Sequence, residues 1–242
     1  MQKITPLRVG FDFGNGKNTI YPVVLTDENE TILIDCGYPR FLPYMESAAG
    51  EEGIDLARLT HIVITHHDFD HIGALAAVKR KYPHISIIAS EDDVKYINGR
   101  EKSLRLRQAE ALYEKLPEEE KPGALNFQKL LGSVEGVNVD LTVKDGDTFS
   151  WLGGTDIIAT PGHMPGHISI YIKAYKTLIS GDALVIENGE LEIANPNYTL
   201  DMSGAKNSIK KLLDYDIEKI ICYHGGEYTG DIKASLHKLS NT

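Results

Sequence analysis

The stretch "HIVITHHDFDH", residues 61–71, decides how the rest of this sequence is interpreted. Residues 62–65, "IVIT", are all β-branched, which is typical of a buried strand. Alternate residues of an extended chain point to the same side, so we expect His66, Asp68 and Asp70 to point together. The turn into the next segment adds His71. The stretch is therefore either a solvated loop or a metal site at the end of a strand.

Four converging donors within six residues suit two neighbouring divalent ions better than one ion, and two ions need further ligands. Polar residues directly follow three other predicted strands: His163 after "TDIIAT", Asp182 in "LISGDAL" and His224 in "IICYHGG". Strand ends can present such residues to one shared cleft. The sequence therefore favours the metal site over the solvated loop.

Two neighbouring histidines are not predicted to bind metal. His67 lies among the ligands but points to the other side of the extended chain, so we expect it behind the ligands or in solvent. His167 lies in the same turn as His163. We expect it to have a structural role or to support a ligand by hydrogen bonding.

The order of these residues resembles the metallo-β-lactamase-fold superfamily. The resemblance rests on His66-x-Asp68-x-Asp70-His71 followed by His163, Asp182 and His224, and it covers essentially the whole chain. "LIDCG" (33–37) resembles an early turn of that family, and residues 182–202 resemble a group of small bacterial metal-dependent hydrolases. The resemblance implies an α/β fold, a four-layer αββα sandwich, with a dinuclear metal site at one edge of its two sheets.

The resemblance also implies a role for each ligand. Metal 1 is bound by His66, Asp68 and His163; metal 2 is bound by Asp70, His71 and His224; Asp182 bridges the two ions. The departure from the family is Asp68, because most members have histidine there. Iron-containing and nuclease relatives with a carboxylate at this position show that it is compatible with a working site.

The extra carboxylate affects the expected metal. With three aspartates and a bridging hydroxide, the charge of two divalent ions is cancelled, whereas the usual histidine site keeps one positive charge. A less positive, oxygen-rich site favours Fe²⁺ or Mn²⁺ more than a nitrogen-rich site does. We expect two divalent ions, with zinc as the default and iron or manganese as alternatives because of Asp68.

The implied activity is hydrolysis by a hydroxide bound between two metal ions, with Asp70 and Asp182 orienting it as catalytic residues. The expected substrate is a small ester, thioester or lactone-type molecule. Lactonases of the superfamily use a tyrosine soon after the bridging aspartate. Here the first tyrosine after Asp182 is Tyr198, which is a candidate substrate-binding residue and weakens the lactonase interpretation.

Other functions compete with the hydrolase. An iron-dependent redox enzyme of the same fold is supported only by Asp68, and no flavin-binding domain follows. A nuclease is disfavoured by a formal net charge of −10 without a basic stripe, because an acidic surface repels phosphates. A binding module that has lost its chemistry is disfavoured by the complete ligand set.

From the length, the composition and the lack of a secretion pattern, we expect a cytoplasmic globular protein. Its 242 residues contain no membrane-length apolar run, and the N-terminus lacks a signal-peptide pattern. Cys36 and Cys222 have no metal or redox spacing, so we expect two buried thiols. The expected partner is a small-molecule substrate, without a membrane or nucleic acid, and a homodimer is an option because dimers are common among relatives.

The chain is predicted to form a single domain over residues 1–242, with a mainly helical insertion at about 91–135. "TIYPVVLT" (19–26) is predicted to be one strand. In the insertion, an apolar stripe is predicted from Leu104, Ala109, Leu112, Tyr113 and Leu116. The Arg- and Glu-rich helix near 101–120 is predicted to be a solvated face, or else a lid or dimer contact that shapes the substrate pocket.

Overall fold

The structure is a computed structural model that describes residues 2–12, 14 and 16–241. Its strands, numbered along the chain, are β1 (Lys3–Pro6), β2 (Val9–Asp12), β3 (Lys17–Ile20), β4 (Val23–Thr26), β5 (Thr31–Ile34), β6 (His61–Ile64), β7 (Ser86–Ser90), β8 (Leu141–Val143), β9 (Thr148–Phe149), β10 (Thr155–Ala159), β11 (Ile168–Ile172), β12 (Thr177–Gly181), β13 (Val185–Glu187), β14 (Glu190–Glu192), β15 (Lys219–Cys222) and β16 (Gly226–Tyr228). Its helices are α1 (Leu42–Glu51), α2 (Phe69–Ile72), α3 (Leu75–Lys81), α4 (Val94–Ile97), α5 (Leu104–Tyr113), α6 (Lys121–Gly132), α7 (Met202–Leu212) and α8 (Ile232–Asn241).

Two six-stranded mixed sheets form the centre of the molecule. The first has the order β1-β4-β5-β6-β7-β8 and the second the order β16-β15-β12-β11-β10-β9. Strands β5 to β8 run parallel, as do β12 and β15, whereas the remaining pairs are antiparallel. Two hairpins, β2-β3 and β13-β14, lie outside these sheets.

Both faces of each sheet are buried, which gives four layers. Ile62 and Ile64 of β6 share a core with Met45 of α1, whereas Val63 between them packs into the core that joins the two sheets. Helices α7 and α8 cover the far face of the second sheet through a third core that includes Ile209. This αββα sandwich confirms the predicted fold class. Central strands buried on both faces explain the nearly continuous apolar runs in the sequence.

Several predicted elements need correction. "TIYPVVLT" is two strands, β3 and β4, because Pro22 lacks an amide hydrogen and the chain changes sheets there. The hairpin β13-β14 and the strands β1, β2 and β16 are absent from the sequence-based prediction. Cys36 and Cys222 are buried and form no disulfide, as predicted. In the described part of the chain, no helix is long and apolar enough to cross a membrane.

The helical segment between β7 and β8 contains α4, α5 and α6. The apolar stripe predicted on α5 is wrong. Leu112 is 47% exposed, and the buried residue of this helix is Arg105, at 3% exposure. The helix therefore turns a cation toward the protein interior, while Leu112 lies at the surface and Leu104 and Leu106 are half-buried.

Candidate metal centre

The seven predicted ligands follow strand ends that meet at one edge of the sandwich. His66, Asp68, Asp70 and His71 follow β6 or begin α2, His163 follows β10, Asp182 follows β12 and His224 follows β15. Because the two sheets pack face to face, the loops leaving these strands converge. The structure thus brings together residues that lie up to 158 positions apart in the sequence.

The predicted metal 1 ligands form one group. The Nε2 atom of His163 lies 3.1 Å from Oδ2 of Asp68, and Nε2 of His66 lies 3.6 Å from the same oxygen. The ligand atoms of all three residues lie within 4.8 Å of one another. This arrangement can hold one metal ion between two imidazoles and a carboxylate.

The predicted metal 2 ligands form a second group beside the first. Nε2 of His224 lies 3.1 Å from Oδ2 of Asp70, and Nε2 of His71 lies 3.7 Å from that oxygen. These three ligand atoms also lie within 4.8 Å of one another. The imidazoles of His66 and His71 are neighbours, with ring centroids 4.0 Å apart, so the two groups adjoin.

Asp182 lies between the two groups. Its Oδ1 is 3.4 Å from Nε2 of His71, and its Oδ2 is 3.6 Å from Nε2 of both His163 and His224. One carboxylate thus reaches both groups, which is the position expected of a bridging ligand.

The buried polar atoms of the centre fit metal ions. Nε2 of His66, Nε2 of His71 and Oδ1 of Asp182 are buried and have no hydrogen-bond partner. A buried polar atom without a partner costs free energy, and a bound cation is a partner that an imidazole nitrogen and a carboxylate oxygen can share. Within the described residues, these donors satisfy what two divalent ions require.

Asp35 is a further residue of the centre that sequence reasoning did not assign. Its Oδ2 lies 2.8 Å from Nδ1 of His71, and its carboxylate also accepts hydrogen bonds from the backbone and hydroxyl of Thr65. A carboxylate on Nδ1 keeps the proton there and leaves Nε2 free for metal. The early "LIDCG" turn was the only sequence signal for this role.

His167 supports Asp182, as expected of a non-ligand. Its Nε2 accepts a hydrogen bond of 2.9 Å from the backbone amide of Asp182, and its Nδ1 lies 2.8 Å from the hydroxyl of Thr160. Burial lowers the pKa of His167 to about 3, so it is neutral and can accept this bond. His167 therefore positions the loop that carries the bridging aspartate.

His67 points away from the ligands, but it is buried, so the solvent alternative is wrong. Its Nδ1 lies 2.9 Å from Oδ1 of Asp93, and its ring stacks on Tyr96 with centroids 4.2 Å apart. Its Nε2 lies 3.4 Å from the backbone nitrogen of Leu104, which donates to it. His67 thus ties the start of α5 to the metal-binding loop.

The ionisable groups of the centre are strongly coupled. Burial alone raises the pKa of Asp182, but the nearby charges of His224 and His71 hold it well below its usual range. Burial lowers the pKa of His71, yet the carboxylates of Asp35 and Asp182 outweigh it and raise this pKa well above its ordinary value. The metal-free centre therefore has an ionised Asp182 and a protonated His71.

Arg105 is a second functional residue that the sequence did not reveal. Its Nη2 lies 2.6 Å from Oδ2 of Asp68 and its Nε lies 3.3 Å from Oδ1, so both carboxylate oxygens are engaged. Burial raises the pKa of Asp68, but the neighbouring imidazoles of His163 and His66 and the charge of Arg105 hold this pKa well below the usual range. The expectation of a less positive site did not include this cation, which offsets the negative charge of Asp68.

A cavity of about 370 Å³ opens onto the ligands. Its other walls are mainly apolar, formed by Tyr38, Phe69, Phe127, Val185, Ile186 and Ala194, and they also include the polar residues Glu187 and Asn195. Tyr198 also lines the cavity, where it is 52% exposed, with its ring centroid 5.3 Å from Cζ of Arg105. The predicted Tyr198 thus lies at the cavity, whereas Tyr38 and Phe127 carried no recognisable signal in the sequence.

Comparison with known proteins agrees with this geometry. Residues 16–224 match the metallo-beta-lactamase superfamily. The chain is 27% identical over 237 residues to "Probable metallo-hydrolase YflN" of Bacillus subtilis (strain 168), which covers 92% of this chain and 86% of that protein.

Two further comparisons cover about half of the chain and nearly all of it. The hydroxyacylglutathione hydrolase of Rhizobium meliloti (strain 1021) is 27% identical over 128 residues, which is 52% of this chain and 34% of that protein. A metallo-beta-lactamase family protein of Thermus thermophilus has a solved structure similar to this one, with a TM-score of 0.75 at 20% identity. That likeness covers 98% of this chain and 78% of the other, and it concerns the fold.

Proposed function

This chain belongs to the metallo-beta-lactamase superfamily, and from that premise we propose that it is a hydrolase that uses two divalent metal ions to cleave an ester, thioester or lactone-type bond of a small substrate. The observation that carries the proposal is the pair of adjoining ligand groups with Asp182 between them, at the base of a cavity. Two such ions, when bound, would supply a water of lowered pKa and would polarise a carbonyl oxygen.

The protein's own residues supply the remaining functions. Asp70 and Asp182 present carboxylate oxygens at the cavity base, where they can orient an attacking water by accepting its hydrogen bond. Asp70 is held by His224, and Asp182 is held from behind through its backbone amide by His167. Because the carboxylates are fixed before substrate binds, little reorganisation is needed during the reaction.

The walls of the cavity favour a substrate with an apolar acyl group. Phe127, Phe69 and Ile186 line the space beside the ligands and can exclude water from the reacting bond. The similarity to a protein named for hydrolysing a hydroxyacylglutathione keeps thioesters among the candidates. A free lactone is the weakest candidate, because the nearest downstream tyrosine, Tyr198, packs its ring beside Arg105.

The proposal is tested with metal-loaded protein and a panel of small esters, thioesters and lactones. We expect hydrolysis of at least one class, loss of that activity after chelation, and recovery when metal is added back. Phe127→Ala should raise KM for apolar acyl substrates and leave metal content unchanged. If protein with two bound ions hydrolyses no member of the panel, the proposed activity is wrong.

An iron-dependent redox reaction is the second candidate. Three carboxylates, those of Asp68, Asp70 and Asp182, meet at one centre, and hard oxygen donors are compatible with iron. The charge on Arg105 reduces this support, because it cancels the extra negative charge of Asp68. Iron in the purified protein, together with oxygen or nitric oxide consumption in the presence of a reductant, would favour this candidate over hydrolysis.

The proposed partner is a small molecule rather than nucleic acid. The net charge of −10 disfavours binding to a phosphate backbone, and the cavity has the volume of a small-molecule site. An assay with DNA and RNA substrates tests this part of the proposal, and metal-dependent cleavage of either would overturn it.

A further inference from the structure

The guanidinium of Arg105 makes several contacts at and beside the metal centre. Besides the two contacts with Asp68, its Nη1 donates to Oε1 of Gln108 at 2.8 Å, and its Nη2 donates to the backbone carbonyl of Tyr198 at 2.8 Å. Nη2 also lies 3.4 Å from Nε2 of His163. Arg105 and Asp68 are 3% and 4% exposed, so the pair is almost fully removed from water.

Burial of both charges makes each residue dependent on the other. A buried ion pair contributes little net stability, but removing one partner leaves an uncompensated charge in the interior, which is strongly unfavourable. A divalent ion bound next to this pair makes the unpaired arginine still more unfavourable, because both charges are positive. An unpaired arginine is therefore unfavourable beside the ion, whereas an unpaired Asp68 can still be balanced by the ion and loses mainly its fixed orientation.

The Asp68–Arg105 pair resembles a neutral histidine in its net charge and in the number of metal-ligand atoms that it supplies. A neutral histidine contributes one ligand atom and no charge, and the Asp68–Arg105 pair contributes one carboxylate oxygen toward His163 and no net charge. The bidentate contact leaves the carboxylate a single orientation, with Oδ2 facing His66 and His163. Hydrogen bonding of this kind to a ligating carboxylate commonly controls metal affinity.

We propose that Arg105 is a positioning residue of the metal centre: it fixes the Asp68 carboxylate as a metal 1 ligand and cancels its charge, so that the two residues together replace one histidine. This inference deepens the proposed function and rests on it for the activity readout. Its metal-binding readout is independent of activity. A purely structural role for Arg105 predicts that the residues at 68 and 105 affect metal binding separately.

The same arginine links metal 1 to the substrate cavity. Its hydrogen bond to the Tyr198 carbonyl and the contact of Gln108 Nε2 with the Asn197 carbonyl at 3.3 Å hold the loop between β14 and α7 against α5. Tyr198 lines the cavity wall in this loop. Loss of Arg105 should therefore weaken substrate binding as well as metal 1 binding.

The test is a double-mutant cycle on zinc binding, with Asp68→His, Arg105→Met and the double variant. We expect each single variant to weaken the second zinc equivalent by about 10–100-fold. The double variant should recover an affinity within a few-fold of the original, because a histidine beside a neutral methionine needs no counter-charge. Arg107→Met is the matched control, since Arg107 lies on the same helix but pairs with Glu101 at the surface, and it should change nothing.

The signs of these effects decide the inference. If Asp68→His alone strengthens zinc binding, or if the effects of the two single variants simply add in the double variant, the inference is overturned. Arg105→Lys, which keeps the charge but not the bidentate contact, should retain more zinc than Arg105→Met and raise KM more than it lowers kcat. Equal zinc affinity in Arg105→Lys and Arg105→Met would also contradict the proposal.

Thermal unfolding of each metal-free variant shows whether it has folded. If Arg105→Met does not fold, zinc affinity is compared between Arg105→Lys and Asp68→His/Arg105→Lys. The retained positive charge at position 105 should prevent the histidine introduced at position 68 in the second variant from restoring zinc binding, so restored binding would contradict the proposal. If the double-mutant cycle contradicts the role of Arg105, the proposal that the original protein is a hydrolase is not affected. Absence of hydrolysis in that protein, with two ions bound, contradicts the proposed function and leaves the zinc measurements valid.

Discussion

The guanidinium of Arg105 contacts both oxygens of the Asp68 carboxylate, with Nη2 2.6 Å from Oδ2 and Nε 3.3 Å from Oδ1. This contact changes the meaning of the unusual aspartate in the metal-binding stretch. Considered alone, Asp68 makes the centre one charge more negative than a histidine would. Together with Arg105 it leaves the charge unchanged, so the hydrolytic chemistry expected of two divalent ions does not need to be weaker.

Removing a ligand should abolish metal-dependent activity without unfolding the protein. His163→Ala and His224→Ala should each reduce hydrolysis by more than about 100-fold, since loss of a residue that only supports a ligand already costs about 10–100-fold. Both residues lie on loops at the sheet edge, so cooperative unfolding should persist. The matched control is His84→Ala at the surface, and equal activity in either ligand variant would remove that residue from the centre.

Asp35 should control the metal 2 ligand His71. Asp35→Asn keeps a residue that tolerates the positive φ of 60° at this position, but its amide cannot hold the His71 proton as a carboxylate does. We expect about a 10–100-fold loss of metal affinity. Competition with a chromogenic chelator measures it, and unchanged affinity would mean that the 2.8 Å contact does not orient the imidazole.

Metal binding should release protons. The carboxylates of Asp35 and Asp182 raise the pKa of metal-free His71 well above its ordinary value, and neighbouring carboxylates, Asp182 first, also raise the pKa of His224 against the effect of burial. A proton must leave before either imidazole ligates an ion, so apparent affinity should fall as the pH is lowered below these raised values. Calorimetry in buffers of different ionisation enthalpy counts the protons, and zero release at about pH 7 would contradict this assignment.

The backbone before the bridging aspartate should not tolerate a side chain. Gly181 has a φ of +53°, and a methyl group there would lie 2.7 Å from Nε2 of His167, the atom that holds the Asp182 amide. Gly181→Ala should lower the free energy of unfolding by at least about 1–3 kcal/mol and weaken metal binding. Gly189 also has a positive φ, of +84°, but a methyl group there would meet no atom within 4 Å. Gly189→Ala is therefore the control for backbone strain alone. Equal effects of both substitutions on metal affinity would mean that the contact with His167 is unimportant.

The sequence was informative where structure follows from local pattern. The β-branched strand before His66 predicts β6, and polar residues directly after apolar strands predict how Asp182 and His224 converge with it. The early "LIDCG" turn proved to contain Asp35, which supports His71. Such positions can be predicted because a strand determines which way each side chain points, and because the end of the strand determines where the next residues lie.

The parts that could not be predicted depend on packing between distant segments. Arg105 belongs to a helix whose composition resembles a solvated surface, and only tertiary structure shows that its side chain turns inward to Asp68. A buried extra carboxylate does indicate that a cation is close, but 25 lysines and arginines were candidates for that cation. Tyr38 and Phe127 likewise reach the cavity through loop and helix placement that no periodicity encodes.

The metal content of the purified protein tests the central claim most directly. After expression with added zinc, iron or manganese and removal of loosely bound ions, elemental analysis should find about two transition-metal ions per chain, because the seven ligands exceed what one ion needs. His163→Ala and His224→Ala, analysed in parallel, should each contain about one ion fewer. A content near zero, or one ion per chain that neither substitution removes, would contradict the dinuclear centre.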